Sequence, residues 1–240
     1  MLSGKRKYFL LLASIVLVFL TFIYLNMSGY FITAQDITDT LEAYDSSATN
    51  APATEVALLN AEYPNLDIVG LVRIPGTDLN EVVVQGTDND YYLNHDMFKS
   101  QNRAGATFLD YRITDESRKK IIYSHNSDTL DVPFKELENY YDYKYYLEHP
   151  LIEYVDDTKT TRYEIFSVFI ETSDWSYVNL NFTSNEEYLE HINKLKEKSL
   201  YDTGITLSET DNILILQTCS HHKDYAGYPN KYLLVIAREI

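Results

Sequence analysis

From Asp67 onward the chain is cut into about eight short apolar runs, each closed by turn-forming or polar residues, and this rhythm constrains the fold more than any other feature. Residues 68–74 end at Pro75-Gly76, and 82–85 end at Gly86. The runs 107–109, 120–123, 151–155, 163–170, 213–217 and 232–237 follow. Segments of this length between turn signals read as strands. Eight of them with short connections predict an antiparallel or mixed barrel. Two inserts read as helices. Residues 133–149 carry five tyrosines between Tyr140 and Tyr146, a cluster expected to pack on the barrel, with a peptide groove as the alternative. Residues 184–198 place Tyr188, Leu189, Ile192 and Leu195 on one face, and Ser184 with Glu187 three residues later matches a capping box. The fold class expected is mostly β with α inserts.

The N-terminal part has a different character. Residues 8–25 contain no charge, and Lys5, Arg6 and Lys7 stand directly before them. At about 1.5 Å per residue, 18 apolar residues are just long enough to cross a bilayer's hydrocarbon core. Positive-inside reasoning then predicts a single-pass cell-membrane protein with a cytoplasmic N-terminus, membrane-bound through this helix, and an extracellular main domain. The competing reading is a cleaved signal peptide, but residues 26–30 offer no small-x-small cleavage site. The boundaries that follow are 1–30 for the cytoplasmic stub and anchor, 31–65 for a stalk with N-terminal helices, and 66–240 for the catalytic domain. Within the stalk, 46–52 reads as a break and 54–60 as a short helix able to pack on the main domain. The net charge of −16 excludes nucleic acid and anionic headgroups as partners of the exported part and favours solubility.

Cys219 is the single cysteine, so no intrachain disulfide can form. It is an inert buried residue, an intermolecular link or a reactive thiol. It ends an apolar run and opens a polar loop, 220–230, which holds a side chain rigidly while letting it face a cleft. An export compartment without a partner cysteine adds weight to the reactive reading. A thiol of ordinary pKa is only a few per cent thiolate at neutral pH and needs a neighbouring base. Of six histidines, His125 follows the run 120–123 and precedes the turn-forming Asn126-Ser127, so it shares the strand-end placement of Cys219. His95, His149 and His191 fall in or beside helical surface segments. His221 and His222 follow Cys219, but one cysteine and two adjacent histidines do not match metal-ligand spacing, and substrate contact from the loop is the better expectation. No cofactor or metal is expected.

In this order, several segments resemble the sortases, specifically class B, over roughly 67–240. They are 69–77 (VGLVRIPGT), 82–93 (VVVQGTDNDYYL), 104–112 (AGATFLDYR), 122–126 (IYSHN), His149-Pro150, 198–203 (KSLYDT) and 216–219 (LQTC). The helix at 184–198, between the sixth and seventh strands, looks like the one that separates class B from class A. The resemblance implies an eight-stranded sortase-type β-barrel and a Cys-His-Arg site. It also implies two-step transpeptidation of secreted proteins at a C-terminal sorting motif. The cysteine attacks a threonine carbonyl, and an amine from the peptidoglycan cross-bridge or a pilin lysine resolves the thioester. Cys219 and His125 match the first two positions. The arginine register falls on Tyr232, preceded by Lys231, while Arg238 stands at the far end of the strand. Strand register favours Tyr232 and the need for charge favours Lys231, which is put forward in the arginine's place. A thiol hydrolase, and a non-catalytic wall-associated binding module on the same scaffold, are the rival functions.

Overall fold

The computed structural model describes residues 54–240. Eight strands form a closed barrel in the order β1-β2-β3-β4-β7-β8-β6-β5. They are β1 Ile68–Arg73, β2 Asn80–Val84, β3 Thr107–Leu109, β4 Lys119–Tyr123, β5 Leu151–Val155, β6 Thr160–Glu171, β7 Ile213–Cys219 and β8 Tyr232–Glu239. Every neighbouring pair is antiparallel except β2 with β3 and β4 with β7, which are parallel. The mostly β barrel with helical inserts expected from the apolar rhythm is therefore the architecture found.

The interior and the outer face of β7 and β8 are both apolar, for different reasons. Alternate residues Leu214, Leu216, Leu233, Val235 and Ala237 fill the barrel. Their neighbours Ile213, Ile215, Leu234 and Ile236 point outward into a second cluster. That cluster is closed by Tyr188, Ile192 and Leu195 of the helix Asn185–Glu197 and by Tyr177. Burial on both faces is why 213–216 reads as an unbroken apolar run instead of an alternating one. Each of the leucines, isoleucines and valines among these side chains is worth about 1.5–3 kcal/mol on burial.

Among the described residues three α-helices decorate the barrel: α1 Glu55–Glu62, α2 Tyr143–Glu148 and α3 Asn185–Glu197. The hydroxyl of Thr54 caps α1 by accepting from the Ala57 amide. Val56 and Leu59 bury its inner face, and Arg73 ties it to the barrel by bridging Glu55 and Glu153 at 2.9 and 2.8 Å. Half of the expected capping box forms on α3. The Ser184 hydroxyl accepts from Glu187 N–H at 3.1 Å, but the Glu187 carboxylate turns to the Thr183 amide. The tyrosine-rich insert differs from a single α-helix. Pro133–Tyr141 is a 3-10 helix, followed by α2. Its buried residues Phe134, Leu137 and Tyr140 recur every three positions, the repeat of a 3-10 turn, and all three pack into the barrel core.

Among the described residues no helix is long and apolar enough to cross a membrane. Of those residues the longest helix is α3, whose 13 residues span about 20 Å and present one apolar face, against a hydrocarbon core of about 30 Å. This corrects the expectation of a single-pass cell-membrane location with a cytoplasmic N-terminus and an extracellular domain. The run 8–25 on which that expectation and the membrane contact rested, the linker break at 46–52 and most of the 31–65 stalk lie outside the described residues.

Candidate active site

The outer cover of α3 stops before the ends of β7 and β8, and a cleft of about 600 Å³ opens where it stops. Cys219 and His125 both line it. They meet because β4 and β7 run parallel, with Tyr123 beside Gln217, so the C-terminal ends of both strands emerge at one edge of the barrel. Side-chain bonds carry the pairing past the ladder. The Thr218 hydroxyl donates to Ser124 O at 2.8 Å, and the Asn126 amide donates to Cys219 O at 2.8 Å and to the Glu138 carboxylate at 2.9 Å. The same Glu138 oxygen accepts the His221 N–H, so the turn after Cys219 is held on both sides. His125 Nε2 lies 2.7 Å from Leu93 O. A carbonyl only accepts, so Nε2 carries a hydrogen and Nδ1 is the ring's free basic position. Gly105, at φ +64, lies under this ring. A Cβ there would meet His125 Cδ2 at 3.1 Å and Tyr92 O at 2.6 Å, so only glycine lets the histidine sit this low.

Cys219 is exposed, yet desolvation at the barrel edge raises its thiol above the ordinary pKa, an effect the charge of Lys231 only partly offsets. The protonated thiol is thus the resting form at neutral pH, and deprotonation must be assisted. Cys219 pairs directly with Tyr232, which lines the cleft on the same face and packs its ring against Trp175 at 5.5 Å. Lys231 stands one residue back, where its carbonyl accepts from Ser220 N–H at 2.9 Å. It acts on the sulfur through charge and is not among the cleft-lining residues. Arg238 pairs with Ile213 at the opposite end of β8 and bonds Glu164 at 3.0 Å, far from the thiol.

The remaining histidines are placed elsewhere. His95 stacks on Tyr91, His149 contacts Pro75 O, and His191 is held by Lys119. His221 lies 3.4 Å from Asp128, and His222 packs edge-on to Tyr141, so neither loop histidine lines the cleft. Among the described residues, no group of three or more His, Cys, Asp or Glu side chains is arranged to hold a metal ion.

The Sortase domain family matches residues 72–239, most of the described chain. The chain belongs to the sortase family. Sortase B of Listeria monocytogenes is 34% identical over 163 residues, covering 67% of this chain and 66% of its own length. The present sequence thus spans just under two thirds of that relative. The Staphylococcus aureus sortase B-substrate complex superposes with a TM-score of 0.75 at 25% identity, covering 86% of this chain and 94% of that one. A crystal structure of sortase B complexed with triglycine gives a TM-score of 0.76 at 25% identity, covering 89% and 98%. These likenesses place the chain in class B, and α3 between β6 and β7 is the helix expected of that class.

Several residues of this sortase cleft carried no signal in the sequence. Trp175, Tyr177 and Val178, on a 3-10 helix between β6 and α3, form its outer wall. Asn89 and Tyr123 also line it, and both bond the buried carboxylate of Asp110, at 3.0 and 2.9 Å. Asp110 in turn holds Arg112 through two bonds of 2.8 and 2.7 Å. The guanidinium and the hydrogen bonds hold its carboxyl below the usual range against the opposing effect of burial. Its position in the AGATFLDYR segment was visible, but not that, besides Arg112 two residues on, it gathers partners from two other stretches of chain.

Proposed function

We propose that this sortase is a cysteine transpeptidase acting on secreted proteins that bear a C-terminal sorting motif. Cys219 is the nucleophile and His125 its acid-base partner, within a catalytic domain of residues 66–240. The observation that carries this reading is the meeting of the two strand ends, one from β4 and one from β7, in a single cleft. In the first step Cys219 sulfur bonds the scissile carbonyl carbon as its proton passes to His125. The carbon–nitrogen bond then breaks, and the imidazolium returns that proton to the departing amine. In the second step a primary amine attacks the thioester, the carbon–sulfur bond breaks, and the amine's proton is taken up as the thiol is restored. The triglycine held by a solved sortase B supports an amino-terminal amine of a wall cross-bridge as the acceptor. A pilin lysine offers the same chemistry.

Lys231 is the proposed stand-in for the family arginine, supplying positive charge beside the sulfur. Tyr232, directly across from Cys219, supplies a neutral hydrogen-bond donor on the same face. The test is mass spectrometry of Cys219 after incubation with candidate sorting peptides. A covalent acyl adduct that is discharged onto added triglycine supports transpeptidation. An adduct discharged only by water would make the protein a thiol hydrolase. Absence of any adduct, with peptide still bound, would leave a binding module.

A further inference from the structure

The segment between β6 and α3 is gripped by cations at both ends. At its start, Lys198 bonds Glu171 and Asp174 at 2.7 and 2.6 Å, and Asp174 caps the 3-10 helix Trp175–Val178. At its end, two consecutive carbonyls are held from the stretch that runs from the end of β3 to the first residue of β4. Arg112 Nη2 donates to Val178 O at 3.2 Å, and Lys119 Nζ donates to Asn179 O at 2.8 Å. The two grips differ in kind, because Lys198 has carboxylates to face whereas Lys119 forms no ion pair with any among the described residues. Lys119 is only 2% exposed, and its other partner is His191 Nε2 at 3.0 Å. Burial, followed by the nearby Lys119 charge, pushes His191 down to about 4, so its ring is neutral and accepts.

A buried ammonium without a counter-charge is costly, and an aliphatic side chain would occupy the same space more cheaply. What the Lys119 nitrogen adds is a hydrogen bond to the carbonyl that ends the cleft wall, strengthened by charge when the amine is protonated. Arg112 adds a mechanical link, since the Asp110 that anchors it also holds Tyr123 on the cleft floor and Asn89 on its lip.

We propose that Arg112 and Lys119 are positioning residues for substrate binding, a pair of side-chain N–H donors that clamp the Val178 and Asn179 carbonyls and so set the wall formed by Trp175, Tyr177 and Val178. The effect on substrate rests on the transpeptidase reading, whereas the effect on the wall does not. Trp175 is the chain's only tryptophan, so its fluorescence reports the wall alone.

The experiment is Lys119→Met in the full chain. Acrylamide quenching of Trp175 is expected to rise, and KM for a sorting peptide to increase about fivefold with kcat within about twofold. The melting temperature is expected to hold or rise, which a purely structural role for Lys119 would not give. Arg112→Lys, which keeps charge but loses the fork on Asp110, is expected to raise quenching in the same direction. Should Lys119→Met fail to fold, Lys119→Gln supplies a neutral donor to Asn179 O, with quenching expected between wild type and Arg112→Lys. Unchanged quenching in the folded Lys119 variant overturns the proposal whatever the kinetics show. A wild-type protein that forms no acyl adduct would remove the proposed reaction and leave the quenching result standing.

Discussion

The floor of the cleft and its outer wall hold their side chains by different bonds. On the floor, the parallel β4-β7 ladder brings Cys219, the last residue of β7, and His125, two residues past β4, to one edge, and the Thr218 and Asn126 side chains extend the pairing to them. On the wall, Trp175, Tyr177 and Val178 sit on a single 3-10 turn, which side chains tie to the barrel: the Glu171 and Asp174 carboxylates with Lys198, and the Arg112 and Lys119 cations. A ladder is cooperative and tolerates the loss of one contact. A clamp built from two carbonyls does not. On the proposed reading, the chemistry rests on the region held by the ladder, and recognition on the one that a single substitution can loosen.

Predictions sharpen this contrast, beginning with the largest effect. Cys219→Ala should abolish the acyl adduct entirely, and persistence of the adduct on another residue would break the assignment of the floor. His125→Gln should slow acylation by about 10²–10⁴-fold, in the range of a lost acid-base group. Stopped-flow alkylation of Cys219 by a thiol reagent should slow with it, and an unchanged rate would separate the two strand ends chemically. Asn126 is 8% exposed and bonds the Cys219 carbonyl. Asn126→Ala should cost about 1–3 kcal/mol through the partners it leaves unpaired. That loss should be visible as a lower melting temperature and a fall in kcat with little change in KM.

Smaller effects are expected from the third position. Acylation rates for Lys231→Ala and Tyr232→Phe, measured against wild type, decide which supplies the donor beside the sulfur. If both stay within about twofold neither does, because a lost contact should cost at least about 1 kcal/mol. The smallest effect is on the pH dependence of stability. Burial, with the charge of Arg112, lowers Lys119 from 10.5 to about 7. Its folded pKa is depressed, so between pH 7 and 10.5 the unfolded chain binds more protons and stability rises with pH. The contribution is complete above 10.5 and is lost as pH falls through 7. Chemical denaturation at several pH values should show this slope in wild type and a flatter one in Lys119→Met. Equal slopes would mean that Lys119 is solvated more than its surroundings indicate.

Much of the fold was legible because each strand announces itself locally. The runs at 151–155 and 213–217 needed only their length and their flanking polar residues to be read. The insert at 133–149 was read as helical but not as a 3-10 helix, since the three-residue spacing of Phe134, Leu137 and Tyr140 also fits one face of an α-helix. Cys219 and His125 were legible for a different reason. Both are rare reactive side chains at the end of an apolar run, and that placement is a property of a few neighbouring residues. Lys119 carried no comparable signal, because nothing near it in sequence reveals that α3 and the 3-10 turn cover it.

By itself the sequence determined the barrel's strand count, the choice of Cys219 and His125 as the candidate pair, and the distance of Arg238 from that end of the strand, since six residues of extended chain separate it from Tyr232 at about 3.3 Å each. These depend on period, spacing and reach along one chain. Only the tertiary structure decided that β4 and β7 are parallel neighbours, that Tyr232 faces Cys219 while Lys231 acts from one residue back, and that Asp110, Arg112 and Lys119 reach the cleft wall. Which strand lies beside which, and which carbonyl a cation finds some sixty residues away, are set by closing the barrel as a whole and burying both faces of β7, a condition no local stretch of sequence contains.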